Sequence, residues 1–254
     1  MTAKLGSVKL GGKLQLALEN IDKAFDEKKL FNDVTFKFET GKIYGLLGRN
    51  GSGKTTLFNC IARNLSVDSG SIAIIDDEGR KITDYENTEI GFVTTTTHLP
   101  DFMTGLEFVR FVMDLNRERL TTTLSASDNL TRYGIKVSDQ NKLLRDYSHG
   151  MKNKVQMLVT EVTNAPIYLL DEPLTSFDPV AAYEVKERIR ELKSRAIVIF
   201  STHILELAKE LCDEIVLLHD QKLEVSGNDK LQSQDFEKEI VMILSEEHDN
   251  DALS

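Results

Sequence analysis

The segment Gly48-Arg49-Asn50-Gly51-Ser52-Gly53-Lys54-Thr55-Thr56 has the residue types and spacing of a phosphate cradle, GxxxxGKT. Glycines at 48, 51 and 53 let backbone N–H groups turn inward around phosphate oxygens, and a helix starting there adds its positive end. Lys54 suits the bridging of β- and γ-phosphates, and the Thr55 hydroxyl suits Mg²⁺. Arg49, Asn50, Ser52 and Thr56 lie in or beside the same loop. A second candidate group, Asp171 and Glu172, ends the apolar run Ile167-Tyr168-Leu169-Leu170. An aspartate at the carboxyl end of a strand can hold a metal's water shell, and a glutamate beside it can orient and deprotonate an attacking water. Two acids after a strand also read as a solvated turn, a reading weakened by the phosphate loop that precedes them. A third group is Tyr147-Ser148-His149-Gly150-Met151, where Ser148 is placed to cap a helix whose free N–H groups and dipole attract an anion. The chain's own loop already supplies one phosphate site. Ser148 therefore reads either as a site offered to a neighbouring molecule or as a plain N-cap, and the two are compatible.

Such groups need a scaffold that gathers strand ends and helix starts. Residues 14–47 alternate short β-like runs with turns, which predicts an antiparallel β layer. From residue 42 the pattern becomes strand, Gly-rich turn and helix, with Leu57, Ile61 and Leu65 on one helical face. Residues 71–76 and 89–94 read as strands, and Thr104 with Glu107 has the spacing of a capping box. Met151, Val155, Leu158 and Val162 recur at helical intervals before the strand at 167–171. Asp178 and Pro179 read as N-cap and first-turn proline of the next helix. Strand 196–200, a short helix through Leu211 and a hairpin up to Gly227 complete the pattern. Alternating β and α elements with strongly apolar strands predict a mainly parallel sheet covered on both faces. The stretch from about 95 to 148 lacks clear strands and is expected to be a helical insert.

Taken in order, the loop at 48, Tyr147-Ser148-His149-Gly150-Met151, the acidic strand end at 171–172 and Ser201-Thr202-His203 resemble the motifs of the ATP-binding cassette (ABC) ATPases. The likeness covers about residues 14–227, and the third group resembles the YSxGM variant of the family signature found in nucleotide-binding subunits of exporters. This resemblance implies an α/β P-loop NTPase: a RecA-like, mainly parallel core with an antiparallel β layer (1–94 and 149–227), a helical subdomain (95–148) and an acidic tail (228–254). It implies ATP and Mg²⁺ as ligands, with Ser148, Gly150 and Met151 of one subunit meeting the γ-phosphate held by Lys54 of another. His203 resembles the switch histidine that positions the attacking water, and Asp178 the aspartate that crosses the dimer interface. Phe25 stands where the family places an aromatic ring against adenine, although by residue type alone it reads as core. Two positions depart from the pattern. Thr95 stands where glutamine is expected, which makes direct metal contact doubtful and a bridging water its substitute. His149 occupies a glycine position of the commoner signature.

These features lead to an ATP-hydrolysing subunit of a two-component membrane transporter, of the multidrug or peptide-type exporter class, with slow or partner-dependent turnover. Its partners would be a separate transmembrane permease and a second copy or paralogue. Alternatives are an ATP-gated binding module with little hydrolysis and a soluble, non-transport ABC ATPase. The 254 residues carry 31 basic and 41 acidic side chains, a net charge of −10, which argues against nucleic acid as the main partner. No apolar run approaches the length of a membrane-spanning helix, and the first residues lack the apolar core of a secretory signal. Cys60 and Cys212, far apart and outside any metal-ligand spacing, read as buried thiols. The expected place is the cytoplasm, peripheral on the inner face of the cell membrane. Residues 228–254 hold eight of the acids and two lysines, so most of the excess charge lies outside the core.

Overall fold

The computed structural model describes residues 12–26, 28–120, 122–174, 179–226, 238 and 240. Its strands are β1 (Gln15–Phe25), β2 (Lys28–Glu39), β3 (Ile43–Leu47), β4 (Ser69–Ile75), β5 (Lys81–Ile82), β6 (Ile90–Val93), β7 (Ile167–Asp171), β8 (Ile197–Thr202), β9 (Glu214–His219) and β10 (Lys222–Ser226). The α-helices are α1 (Lys54–Ile61), α2 (Gly105–Leu115), α3 (Ala126–Arg132), α4 (Val137–Gln140), α5 (His149–Val162), α6 (Pro179–Leu192) and α7 (Leu205–Leu211).

Two sheets share the strands. An antiparallel sheet has the order β2-β1-β4-β5, and a six-stranded sheet has the order β10-β9-β3-β8-β7-β6, parallel except for β10. The apolar runs of the second sheet are long because both of its faces are covered. Alternate residues of one strand therefore enter different cores. Leu169 and Ile199 face the antiparallel sheet and α1, packing with Leu16, Phe31 and Phe58. Tyr168, Leu170, Val198 and Phe200 face the helices, packing with Val109, Leu130, Val155 and Ile189.

Between β6 and α5 the chain is helical, with one isolated bridge, Thr104 to Leu143, as its only strand-like pairing among the described residues. The capping box forms as expected: the Thr104 hydroxyl accepts the Glu107 N–H at 3.2 Å, and Glu107 accepts the Thr104 N–H at 2.9 Å. One expectation fails. Leu65 does not extend the apolar face of α1, because that helix ends at Ile61 and Arg63 adopts φ 59°. A left-handed residue ends the helical path, and Leu65 is left exposed. Cys60 is buried, whereas Cys212 is only partly so. Asp178 and almost all of the acidic tail lie outside the described residues. Ile240 is buried against Leu47, Ala208, Ile215 and Leu217.

Candidate nucleotide site

β3 ends at Leu47, and residues 48–53 turn the chain into α1, so the phosphate-cradle residues stand at the carboxyl end of a central strand. Gly51 and Gly53 have φ 81° and 106°, left-handed values that glycine adopts without steric cost and that aim backbone N–H groups into the loop. A Cβ at Gly53 would come within 3.0 Å of the Phe31 ring. Lys54 is buried, and its Nζ donates to the carbonyls of Gly48 at 2.6 Å and Arg49 at 2.9 Å. Burial pulls its ammonium below the ordinary lysine value, and the carboxylates of Glu172 and Asp171 oppose that pull.

The parallel pairing of β7 with β8 sets Asp171 opposite Ser201. The fully buried Ser201 hydroxyl donates to one oxygen of the Asp171 carboxylate and accepts the Glu172 N–H at 3.0 Å. The other carboxylate oxygen accepts the Thr55 hydroxyl at 2.7 Å. Asp171 is thus held from β8 on one side and α1 on the other. Glu172 adopts φ 50°, a left-handed value that costs energy for a residue with a side chain. Its Oε1 lies 3.0 Å from Nδ1 of His203, which is delivered by the end of β8.

Lys54, Thr55, Asp171 and Glu172 border one open cleft of about 300 Å³, whose walls also include Leu30, Asn50, Thr56 and Thr95; His203 touches Glu172 but is not among the lining residues. Thr95 turns its hydroxyl toward the Asp171 backbone carbonyl at 3.4 Å. The donors gathered at Asp171 are one carboxylate and hydroxyl oxygens, a hard-oxygen set that suits a Mg²⁺ ion completing its shell with waters and phosphate oxygens. The buried Ser52 hydroxyl has no partner and lies where a Cβ on Gly48 would approach it to 2.6 Å, so the loop fits a ligand that supplies hydrogen-bond acceptors.

Other expected residues stand apart from this cleft. Ser148 caps α5 by accepting the Met151 N–H at 3.2 Å, and Ser148, Gly150 and Met151 are not among the residues lining the cleft. Phe25 is 46% exposed at the end of β1, beneath the Lys23 ammonium at 5.2 Å from its ring centre, and does not line the cleft either. Leu30, on the return strand of the same hairpin, does. Ser201 was not anticipated. Its one signal in the sequence is a hydroxyl residue closing an apolar strand two positions before His203.

Comparison with known proteins agrees with this geometry. The ABC transporter family matches residues 31–175. The uncharacterized ABC transporter ATP-binding protein YdbJ of Bacillus subtilis is 27% identical over 236 residues, covering 91% of this chain and 75% of the relative. The lantibiotic transport ATP-binding protein SrtF of Streptococcus pyogenes is 27% identical over 227 residues, covering 85% and 94%. Among solved structures, an ATP-binding subunit of an ABC transporter superposes with a TM-score of 0.73 at 25% identity, covering 90% of this chain and 94% of that one. A bacterial Atm1-family ABC exporter with ATP bound superposes with a TM-score of 0.74; at 18% identity it shows the shared fold alone. With a P-loop NTPase fold and a family match across more than half its length, the chain belongs to the ABC transporter family and carries its ATP-binding domain.

Proposed function

We propose that this chain is the ATP-hydrolysing subunit of a membrane exporter and that two ATPase subunits close around the nucleotide. The observation that carries the reading is the convergence of Lys54, Thr55, Asp171 and Glu172 on one cleft, with His203 set against Glu172. Lys54 and the N–H groups of residues 48–53 hold the β- and γ-phosphates. Thr55 and Asp171 are the residues that would hold Mg²⁺. When bound, the ion neutralises charge that develops on the phosphoryl oxygens. Glu172 accepts a proton from a water whose oxygen attacks the γ-phosphorus, while the bond from that phosphorus to the β–γ bridging oxygen breaks. His203 keeps the Glu172 carboxylate oriented from its position 3.0 Å away. Ser148 and Gly150 of the facing subunit complete the γ-phosphate site, and Asp178 lies at the same interface.

One further observation supports an assembly with a permease. Phe111 and Leu115 share one face of α2 and stand 51% and 68% exposed, with Phe102 just before the helix at 82%. An apolar surface of this kind suits a short amphipathic segment of a membrane partner. The export direction rests on the likeness of the signature and on the lantibiotic-transport relative. In the test, Glu172→Gln lowers Mg-dependent phosphate release by about 10²-fold or more. Equal release from both proteins overturns the assignment. A second reading, ATP-gated closure with little turnover, is favoured by Thr95, whose hydroxyl meets a backbone carbonyl and not the Asp171 carboxylate. It predicts ATP-dependent dimerisation without measurable turnover even when a permease is present.

A further inference from the structure

Gln156 lies two turns into α5, is nearly buried, and points back at the sheet. Its carboxamide meets the first residue after edge strand β6: with the amide assigned in the orientation that satisfies both of its ends, the side-chain oxygen accepts the Thr94 N–H at 3.0 Å, and the side-chain nitrogen donates to the Thr94 carbonyl at 3.3 Å. One side chain thereby pairs with both polar groups of a backbone residue, as a rung of an adjoining strand would. The hydroxyl of Thr94 donates onward to the Thr96 carbonyl at 2.7 Å and closes a turn, leaving Thr95 at its centre with its own hydroxyl on the Asp171 carbonyl. Thr94 is where the chain leaves the parallel sheet for its helical insert, and α5 is the helix by which it returns. Gln156 ties the departing segment to the returning helix.

We propose that Gln156 is a positioning residue for the nucleotide and magnesium cleft, acting through Thr94 to fix Thr95 beside Asp171 and to couple that cleft to the helix that begins at Ser148. A threonine at 95 is too short to span from its backbone to a metal shell unless that backbone is held close. The clamp from α5 supplies the restraint, so a shift of the signature helix moves the wall of the cleft with it. The inference rests on the proposed nucleotide site, and the experiment separates the two.

The full chain is compared with Gln156→Leu, which keeps the size of the side chain and removes both hydrogen bonds, and Gln156→Glu, which keeps an acceptor for the Thr94 N–H. Amide hydrogen exchange is followed across residues 92–97, and affinity for a fluorescent ATP analogue is measured with Mg²⁺ and with EDTA. In Gln156→Leu, exchange at Thr94 and Thr95 accelerates by about tenfold, and the affinity gained on adding Mg²⁺ falls by about threefold or more, while affinity in EDTA stays within about twofold. Gln156→Glu retains slow exchange at Thr94. Unchanged exchange and an unchanged magnesium increment in Gln156→Leu overturn the proposal, as does an equal loss of affinity in EDTA, which would mark a merely structural role. A wild-type protein that fails to bind the analogue under either condition overturns the nucleotide site itself, and the exchange measurement still decides the clamp.

Discussion

Around Asp171 the tolerance for substitution is set by how many hydrogen bonds converge on each atom. Ser201 is fully buried, donates to Asp171 and accepts from the Glu172 N–H, so no water stands ready to replace it. Ser201→Ala removes a hydrogen bond from the Asp171 carboxylate and another from the Glu172 N–H, and its expected cost is about 1–3 kcal/mol of folding free energy, measured by urea denaturation. Phosphate release falls with it, because the Glu172 backbone loses the contact that holds it at φ 50°. Lys54→Ala acts differently: it removes a buried cation whose own desolvation is unfavourable, so stability changes little or rises while ATP affinity drops about tenfold or more. A stable Lys54→Ala protein that binds ATP as well as the wild type sinks the phosphate-loop assignment. Lys54, Asp171 and Glu172 were legible in the sequence because their spacing is local to a loop or a strand end. Ser201 and Gln156 were not, because their partners lie 29–30 and 62 positions away and are fixed by sheet pairing and helix docking, which no local pattern encodes.

Strands and helices were readable where burial imposes a period, and less so where a strand had to be assigned to a sheet. The run 71–76 was evident as a strand, yet only long-range pairing puts β4 beside β1 in the antiparallel layer and β6 beside β7 in the parallel one. The end of α1 was misjudged for a related reason: apolar spacing continued to Leu65, while Arg63 turned left-handed and stopped the helix. The start of α5 raises a question that belongs to the element, since Ser148 both caps the helix and is proposed to meet a phosphate across an interface. The two roles separate by substitution. Ser148→Ala removes the cap and costs about 1 kcal/mol, whereas Ser148→Asp keeps an equally good cap and favours the helix dipole, leaving stability within about 0.5 kcal/mol. The added carboxylate repels an incoming phosphate, so Ser148→Asp is expected to abolish ATP hydrolysis in a protein that is fully folded. Wild-type turnover in Ser148→Asp means that the N-cap is the whole role of Ser148.

For the molecule as a whole, the proposed closure of two subunits would have to overcome the repulsion of two bodies that each carry a formal charge of −10, with anionic nucleotides between them. The attraction proposed across the interface comes from neutral donors, the Ser148 hydroxyl and backbone N–H groups at the start of α5, while the cationic Lys54 is buried within its own subunit. Screening therefore weakens the repulsion more than the attraction, since separated surface charges are screened within a Debye length of about 10 Å at 0.1 M salt. Glu172→Gln, which keeps the binding groups and removes the base, is expected to form an ATP-dependent dimer whose population rises as salt increases from about 0.05 M to about 0.3 M. Residues 241–254 carry four acids and no lysine or arginine, so a chain ending after Ile240 should dimerise more readily at low salt and show a shallower salt dependence. Light scattering across the salt series, with Mg-ATP and with EDTA, reads the dimer directly. A dimer that dissociates steadily as salt rises would place ion pairs, and not the neutral start of α5, at the centre of the interface.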